Sequence, residues 1–301
     1  MSVQIRNLTK IYGQQKAIDS ISFTAKKGEI LGFLGPNGAG KTTTMKIISC
    51  FIPQSDGDVE VCGLNTKDHP LEIRKKIGYL PEHNPLYYNM YVKEYLSFIA
   101  GLHKLPNRKK AVQDMIDKTG LGLEQNKLIG ALSKGYKQRV GLAQALIHDP
   151  EVLILDEPIS GLDPNQLIEI RTLIKSLGSE KTVIFSSHIM QEVQALCDRI
   201  TIINQGKLAA DDTIDNLINK SAEDYFLQVE FNKPTSIDSL ASLHPSIEIQ
   251  ATSDCTFSCR ISTTDDIRHL FFQYAIDNQL VLLELHRKSP SVEDLFQKVT
   301  Q

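Results

Sequence analysis

Apolar residues are distributed along this chain in two periodicities, and the change from one to the other outlines its organisation. Residues 3–11 and 17–25 alternate apolar and polar positions, the mark of half-exposed antiparallel strands. Residues 57–63 predict another strand. Short unbroken apolar runs then appear at 29–34 (Glu-Ile-Leu-Gly-Phe-Leu), 152–155 and 182–186, with a further strand at 199–204. Such runs suit strands covered on both faces, and helical stretches between them point to a parallel sheet. Residues 92–149 are helix-rich, with apolar spacing through Val92, Tyr95, Leu96 and Ile99. Asn204-Gln205-Gly206-Lys207 signals a tight hairpin. After about residue 220 the pattern changes again. A polar stretch leads into Tyr225–Phe231, which alternates cleanly, and further strands fit 247–251, 256–262 and 280–286 around a helix near 264–278. This predicts a small α+β unit of ferredoxin-like character over 221–301, appended to an α/β unit over 1–220.

Composition narrows the class. The chain has 301 residues, enough for one large and one small domain, and 41% hydrophobic content supports a packed core. A formal charge of −3 without a block of basic residues argues against nucleic acid as a partner. The five cysteines (Cys50, Cys62, Cys197, Cys255, Cys259) are scattered, and no histidine cluster completes a zinc site around Cys255 and Cys259. They read as reduced and mostly buried, as in a cytosolic protein. No apolar run approaches the ~18–20 residues that span a bilayer. If the chain drives transport, the membrane path belongs to another polypeptide.

The chemistry is concentrated at strand ends. Gly35-Pro36-Asn37-Gly38-Ala39-Gly40-Lys41-Thr42 follows an apolar strand and opens a helix beginning with Thr43. Glycines at these positions let backbone N–H groups converge on an anion, reinforced by the helix N-terminus. Lys41 is positioned for β- and γ-phosphates, and the Thr42 hydroxyl for Mg²⁺. The strand Val152–Leu155 ends in Asp156 and Glu157. Asp156 is a candidate to hold Mg²⁺, directly or through water, and Glu157 to accept a proton from an attacking water. ATP and Mg²⁺ are the expected ligands. Either motif alone has a plain structural reading, a capped helix or a solvated acidic turn. Together they supply two halves of one phosphate site at the same sheet edge.

Between them lies Leu132-Ser133-Lys134-Gly135-Tyr136, followed by a basic amphipathic helix. This segment resembles the LSGGQ signature of ATP-binding-cassette (ABC) ATPases, with Lys134 at the first glycine and Tyr136 at the glutamine. The resemblance covers residues 3–220 and implies a P-loop NTPase core with an antiparallel β subdomain and a helical subdomain at about 92–149. It implies that Tyr12 stacks on adenine, that Ser160-Gly161-Leu162-Asp163 is the D-loop, and that His188 is the switch histidine contacting the γ-phosphate. Glu82, in Gly78-Tyr79-Leu80-Pro81-Glu82, stands where the family keeps glutamine near Mg²⁺, and is a candidate either to approach the metal or to dock the membrane subunit. In this family each ATP lies between the loop of one subunit, here 35–43, and the signature of another, here Ser133 and Gly135. A homodimer with a separate transmembrane permease is therefore expected, peripheral on the inner face of the cytoplasmic membrane. Residues 80–96 look like the ATP-binding subunit linked to gliding motility in Bacteroidetes-type bacteria, within the ABC-2 exporter group. Ser291–Phe296 resembles that group's closing helix. The alternative is a soluble ABC ATPase that remodels ribosomes or DNA. A P-loop kinase would leave the signature and His188 unexplained.

Overall fold

The computed structural model describes residues 1–187, 189–220, 225–263, 265–288 and 296. These fall into two compact units, one spanning Met1–Thr213 and the other beginning at Ile214.

The first unit opens with β1 (Val3–Tyr12), β2 (Gln15–Ala25) and β3 (Ile30–Leu34), then the glycine-rich loop and α1 (Lys41–Ile48). Next come β4 (Asp56–Val61), β5 (Leu64–Asn65), α2 (Pro70–Lys76) and β6 (Ile77–Leu80). The helical segment holds α3 (Val92–Leu102), α4 (Arg108–Lys118) and α5 (Lys134–Leu146). Strands and helices then alternate: β7 (Val152–Asp156), α6 (Pro164–Gly178), β8 (Thr182–Ser186), α7 (Met190–Leu196), β9 (Arg199–Asn204) and β10 (Lys207–Thr213).

Two sheets result. The antiparallel sheet has the order β2-β1-β4-β5, and the central sheet β10-β9-β3-β8-β7-β6. Within the central sheet β6, β7, β8, β3 and β9 run parallel, while β10 is an antiparallel edge. Every residue of β3, β7 and β8 is buried, which is why these strands read as continuous apolar runs rather than alternating ones. Phe23 of β2 stacks on Phe33 of β3 at 5.1 Å between centroids, joining the two sheets in a core that also takes Met45, Ile47 and Ile48 of α1. The β9–β10 hairpin turns through Gln205 and Gly206, both with positive φ (48° and 79°), the geometry of a two-residue hairpin matched to strand twist. β6 was not anticipated. Its four residues pair with β7 and bring the segment from Pro81 onward to the strand ends.

A separate apolar cluster of Tyr95, Leu96, Ile99, Val112, Ile116 and Val140 holds α3, α4 and α5 together. This gives the helical segment a core of its own.

The second unit contains α8 (Ile214–Lys220), β11 (Tyr225–Phe231), α9 (Ile237–Ala241), β12 (Ile247–Ala251), β13 (Thr256–Ile261), α10 (Arg268–Asp277) and β14 (Leu282–Lys288). Its antiparallel sheet has the order β12-β13-β11-β14. From β11 onward the element order βαββαβ is that of a ferredoxin-like unit. β11 alternates buried and half-buried residues, and Tyr225, Leu227, Val229 and Phe231 pack with Phe257 and Phe271. Of the segment 291–296, only Phe296 lies among the described residues.

Candidate functional site

β3 stops at Leu34 and the chain turns sharply before α1. Gly40 caps α1 with φ of 111°, a conformation that side-chain-bearing residues rarely adopt. At Gly35 an added Cβ would lie 2.2 Å from the Ile203 carbonyl oxygen. Backbone from β9 therefore presses the loop into shape from behind. Lys41 folds back along this loop, its Nζ donating to the carbonyls of Gly35 (2.7 Å) and Pro36 (3.1 Å). Burial lowers the Lys41 pKa, while the charges of Glu157, Asp156 and Glu82 act to raise it. These four charged residues share one neighbourhood.

Asp156, at the end of β7, is buried and accepts two hydrogen bonds. Thr42 Oγ1 donates to its Oδ2 at 3.1 Å, and Ser186 Oγ donates to its Oδ1 at 2.6 Å. Ser186 is the residue paired with Asp156 across the β7–β8 ladder. The ends of β7 and β8 and the start of α1 thus converge on one carboxylate. Glu157 follows with φ of 53° and is 9% exposed. Its N–H bonds the Ser186 carbonyl and hydroxyl, both at 3.2 Å, and its own carbonyl accepts from Gln138 Nε2 of α5 at 3.2 Å. A glutamate in left-handed backbone carries strain, and the surrounding bonds hold it there.

Glu82 is exposed and faces an open cavity of about 520 Å³ that Thr42, Asp156, Tyr79, Gln144 and Phe51 also line. Among the described residues the buried Tyr79 hydroxyl at this cavity has no partner, and burial beside Asp156 raises its pKa well above the usual phenol range. Tyr12 is half exposed at the end of β1, with Lys10 Nζ 5.1 Å from its ring centroid. His188 lies outside the described residues.

A second cluster forms around the start of α5. Ser133 caps this helix, accepting from Tyr136 N at 3.4 Å. Gly135 is buried, and a Cβ there would meet Gln166 Oε1 at 1.9 Å. Asp163 caps α6 through the Gln166 N–H at 2.9 Å. Ser133, Gly135 and Asp163 therefore belong together. Among the described residues no hydrogen bond or ion pair joins them to Lys41, Thr42 or Asp156.

Residues 18–160 match the ABC transporter family. The chain is 35% identical over 305 residues to the bacitracin transport ATP-binding protein of Bacillus licheniformis, covering 99% of this chain and 96% of that one. This protein belongs to the ABC transporter ATP-binding family. It is also 33% identical over 310 residues to the linearmycin resistance ATP-binding protein of Bacillus subtilis (strain 168), covering 99% and 98% of the two chains. Among solved structures, a dimeric ATP-binding cassette in a post-hydrolysis state, bound to ADP and Pi, superposes with a TM-score of 0.66. It is 25% identical and covers 70% of this chain and 98% of its own. CbiO1 of Clostridium perfringens, part of the ABC transporter complex cbiONQ, superposes at 0.65 with 29% identity, covering 73% and 92%.

This ABC ATPase is the ATP-binding subunit of a transporter and hydrolyses ATP with Mg²⁺. Its residues fit that pair of ligands. Thr42 and Asp156 offer only oxygens, which suits a hard cation. Among the described residues no cluster of three or more His, Cys, Asp or Glu side chains is placed to hold a metal. Mg²⁺ is commonly bound by one or two protein oxygens with substrate phosphates and water. Ser186 and Gln138, which hold Asp156 and Glu157 in place, were not singled out in the sequence. Their roles depend on pairing across strands and between α5 and β7, which no contiguous motif encodes.

Proposed function

We propose that this ABC ATPase powers an exporter as a homodimer with two shared ATP sites. The observation that carries the reading is the division of the chain into two clusters. One holds Lys41, Thr42 and Asp156; the other holds Ser133, Gly135 and Asp163, and among the described residues no hydrogen bond or ion pair joins the two. A second copy brings the missing half to each site, and a solved relative of this fold is dimeric.

In this arrangement Gly35–Thr43 cradle the triphosphate and Lys41 leaves its two carbonyls for the β- and γ-phosphates. Tyr12 stacks on adenine. Thr42 and Asp156 would hold Mg²⁺, which would supply positive charge against the phosphates. Glu82 approaches the metal from the cavity wall. Glu157 accepts a proton from the attacking water, and His188 contacts the γ-phosphate. Ser133 and Gly135 reach the nucleotide of the other copy, and Asp163 starts the helix that supports them. The second unit acts as an accessory domain, dispensable for nucleotide chemistry.

Export is supported by the full-length relatives, whose names are bacitracin transport and linearmycin resistance proteins. The narrower link to gliding motility rests on residues 80–96 alone. No helix among the described residues is long and apolar enough to cross a membrane. A separate permease supplies the path, and the ATPase sits on the inner face of the cytoplasmic membrane. Affinity purification in mild detergent tests this: an integral membrane protein should co-purify, and the ATPase should sediment with membranes. Recovery with ribosomes or DNA instead would overturn it.

A further inference from the structure

Lys134 occupies the first glycine position of the signature, and the structure gives this exchange a physical setting. The residue opens α5 directly after the Ser133 cap, and the first turn of that helix carries no acid. Among the described residues the Lys134 ammonium makes no hydrogen bond or ion pair. Its stem lies against Gly161, which has φ of 74°: a Cβ added there would sit 2.8 Å from Lys134 Cδ and 2.5 Å from Nζ. A bare glycine is what leaves room for the lysine. The side chain thus spans from the signature to the D-loop, parallel to the second tie that Gly135 makes with Gln166. Lys134 is exposed, and a cation in the first turn lies against the positive end of the helix dipole, which an anion placed beside it would offset.

We propose that Lys134 is a further cationic contact for the γ-phosphate held by the second copy, so that ATP-driven closure of this dimer gains an electrostatic component. The inference rests on the two-copy reading above. The Lys134 stem stays on Gly161, and the ammonium turns from that glycine to the phosphate as the two copies meet.

The test measures ATP-dependent dimerisation by analytical ultracentrifugation in a Glu157→Gln background, where turnover is suppressed. Lys134→Gln keeps most of the stem and removes the charge; Lys134→Arg keeps the charge. With Lys134→Gln the dimer should weaken roughly five- to ten-fold at about 50 mM salt, and the difference should shrink at about 300 mM as screening grows. Binding of a fluorescent ATP analogue to the monomer should not change. Lys134→Arg should restore both affinity and salt dependence, which a purely structural role for the stem would not require. Equal dimer affinity for the Gln variant and its parent at both salts would overturn the role of Lys134 while leaving the two-copy reading intact. Failure of the Glu157→Gln parent to dimerise with ATP would remove both.

Discussion

The two halves of the site are built differently within one chain. Around the glycine-rich loop the polar groups are already engaged: Lys41 bonds two carbonyls, and Asp156 accepts from Thr42 and Ser186. Around the signature fewer are, although Asp163 accepts from the Gln166 N–H at 2.9 Å. Ser133 has a long 3.4 Å capping bond, and Lys134 has no partner among the described residues. The first half is preassembled by backbone and strand pairing. The second presents groups outward from two helix starts. Preassembly suits binding without a partner, and the open half suits a contact made only when two copies close. Binding and hydrolysis should therefore separate cleanly by mutation.

The largest effects are expected on turnover, and one of them lies inside the preassembled half. Glu157→Gln should lower turnover by about 10²- to 10⁴-fold, the usual size for loss of a general base, while retaining ATP. Turnover near that of the unaltered protein, measured as phosphate release, would remove Glu157 from that role. Ser133→Arg addresses the open half. It should abolish hydrolysis but leave nucleotide binding by the monomer intact. Mixed with Lys41→Ala, it should recover activity through one intact site per heterodimer. A mixture no more active than its two components would contradict the shared site.

Ser186→Ala probes how far the preassembly extends. Asp156 would lose a 2.6 Å bond to a buried hydroxyl, and outer-shell losses of this kind commonly weaken metal binding about 10- to 100-fold. The Mg²⁺ concentration for half-maximal ATPase should rise accordingly, with Ser133-dependent dimerisation unaffected at saturating Mg²⁺. An unchanged requirement would show that Thr42 alone orients the carboxylate.

The smallest effect lies beyond the far end of the signature helix. His148, two residues after α5, bonds the Ile77 carbonyl of β6 at 3.0 Å and stacks on His103 at 3.9 Å. Burial, with the neighbouring His103 charge, pushes its pKa down to about 4. An unfolded histidine titrates near 6.5, so below that pH the unfolded chain takes up a proton that the folded one refuses. The stabilisation is complete above about pH 6.5 and is lost as pH falls toward 4. Partial exposure reduces it to roughly 1–2 kcal/mol. Urea unfolding at pH 7 and pH 5 should show this loss, and His148→Gln should flatten it. The same slope in both proteins would assign the pH dependence elsewhere.

Much of this was legible because it is contiguous. The run Gly35–Thr42 carries its own geometry, and the apolar strands β3, β7 and β8 announce a covered sheet. Clean alternation at Tyr225–Phe231 predicted the strand at the centre of the second unit's fold. What escaped detection is non-local or conformational. β6 has only four residues between a helix and a loop, so no period can establish itself. Ser186 meets Asp156 through strand register, 30 residues away. Lys134 meets Gly161 because two helix starts pack together. The left-handed backbone at Glu157 has no counterpart in residue type.

That backbone sets durability against turnover. Asparagine and glycine occupy such a φ with less strain than glutamate does, so either replacement would relax the chain at the moment it removed the proton acceptor. A library screened only for resistance to heat would tend to enrich inactive members at position 157, and an engineer hardening this motor would have to hold that residue fixed and seek gains elsewhere.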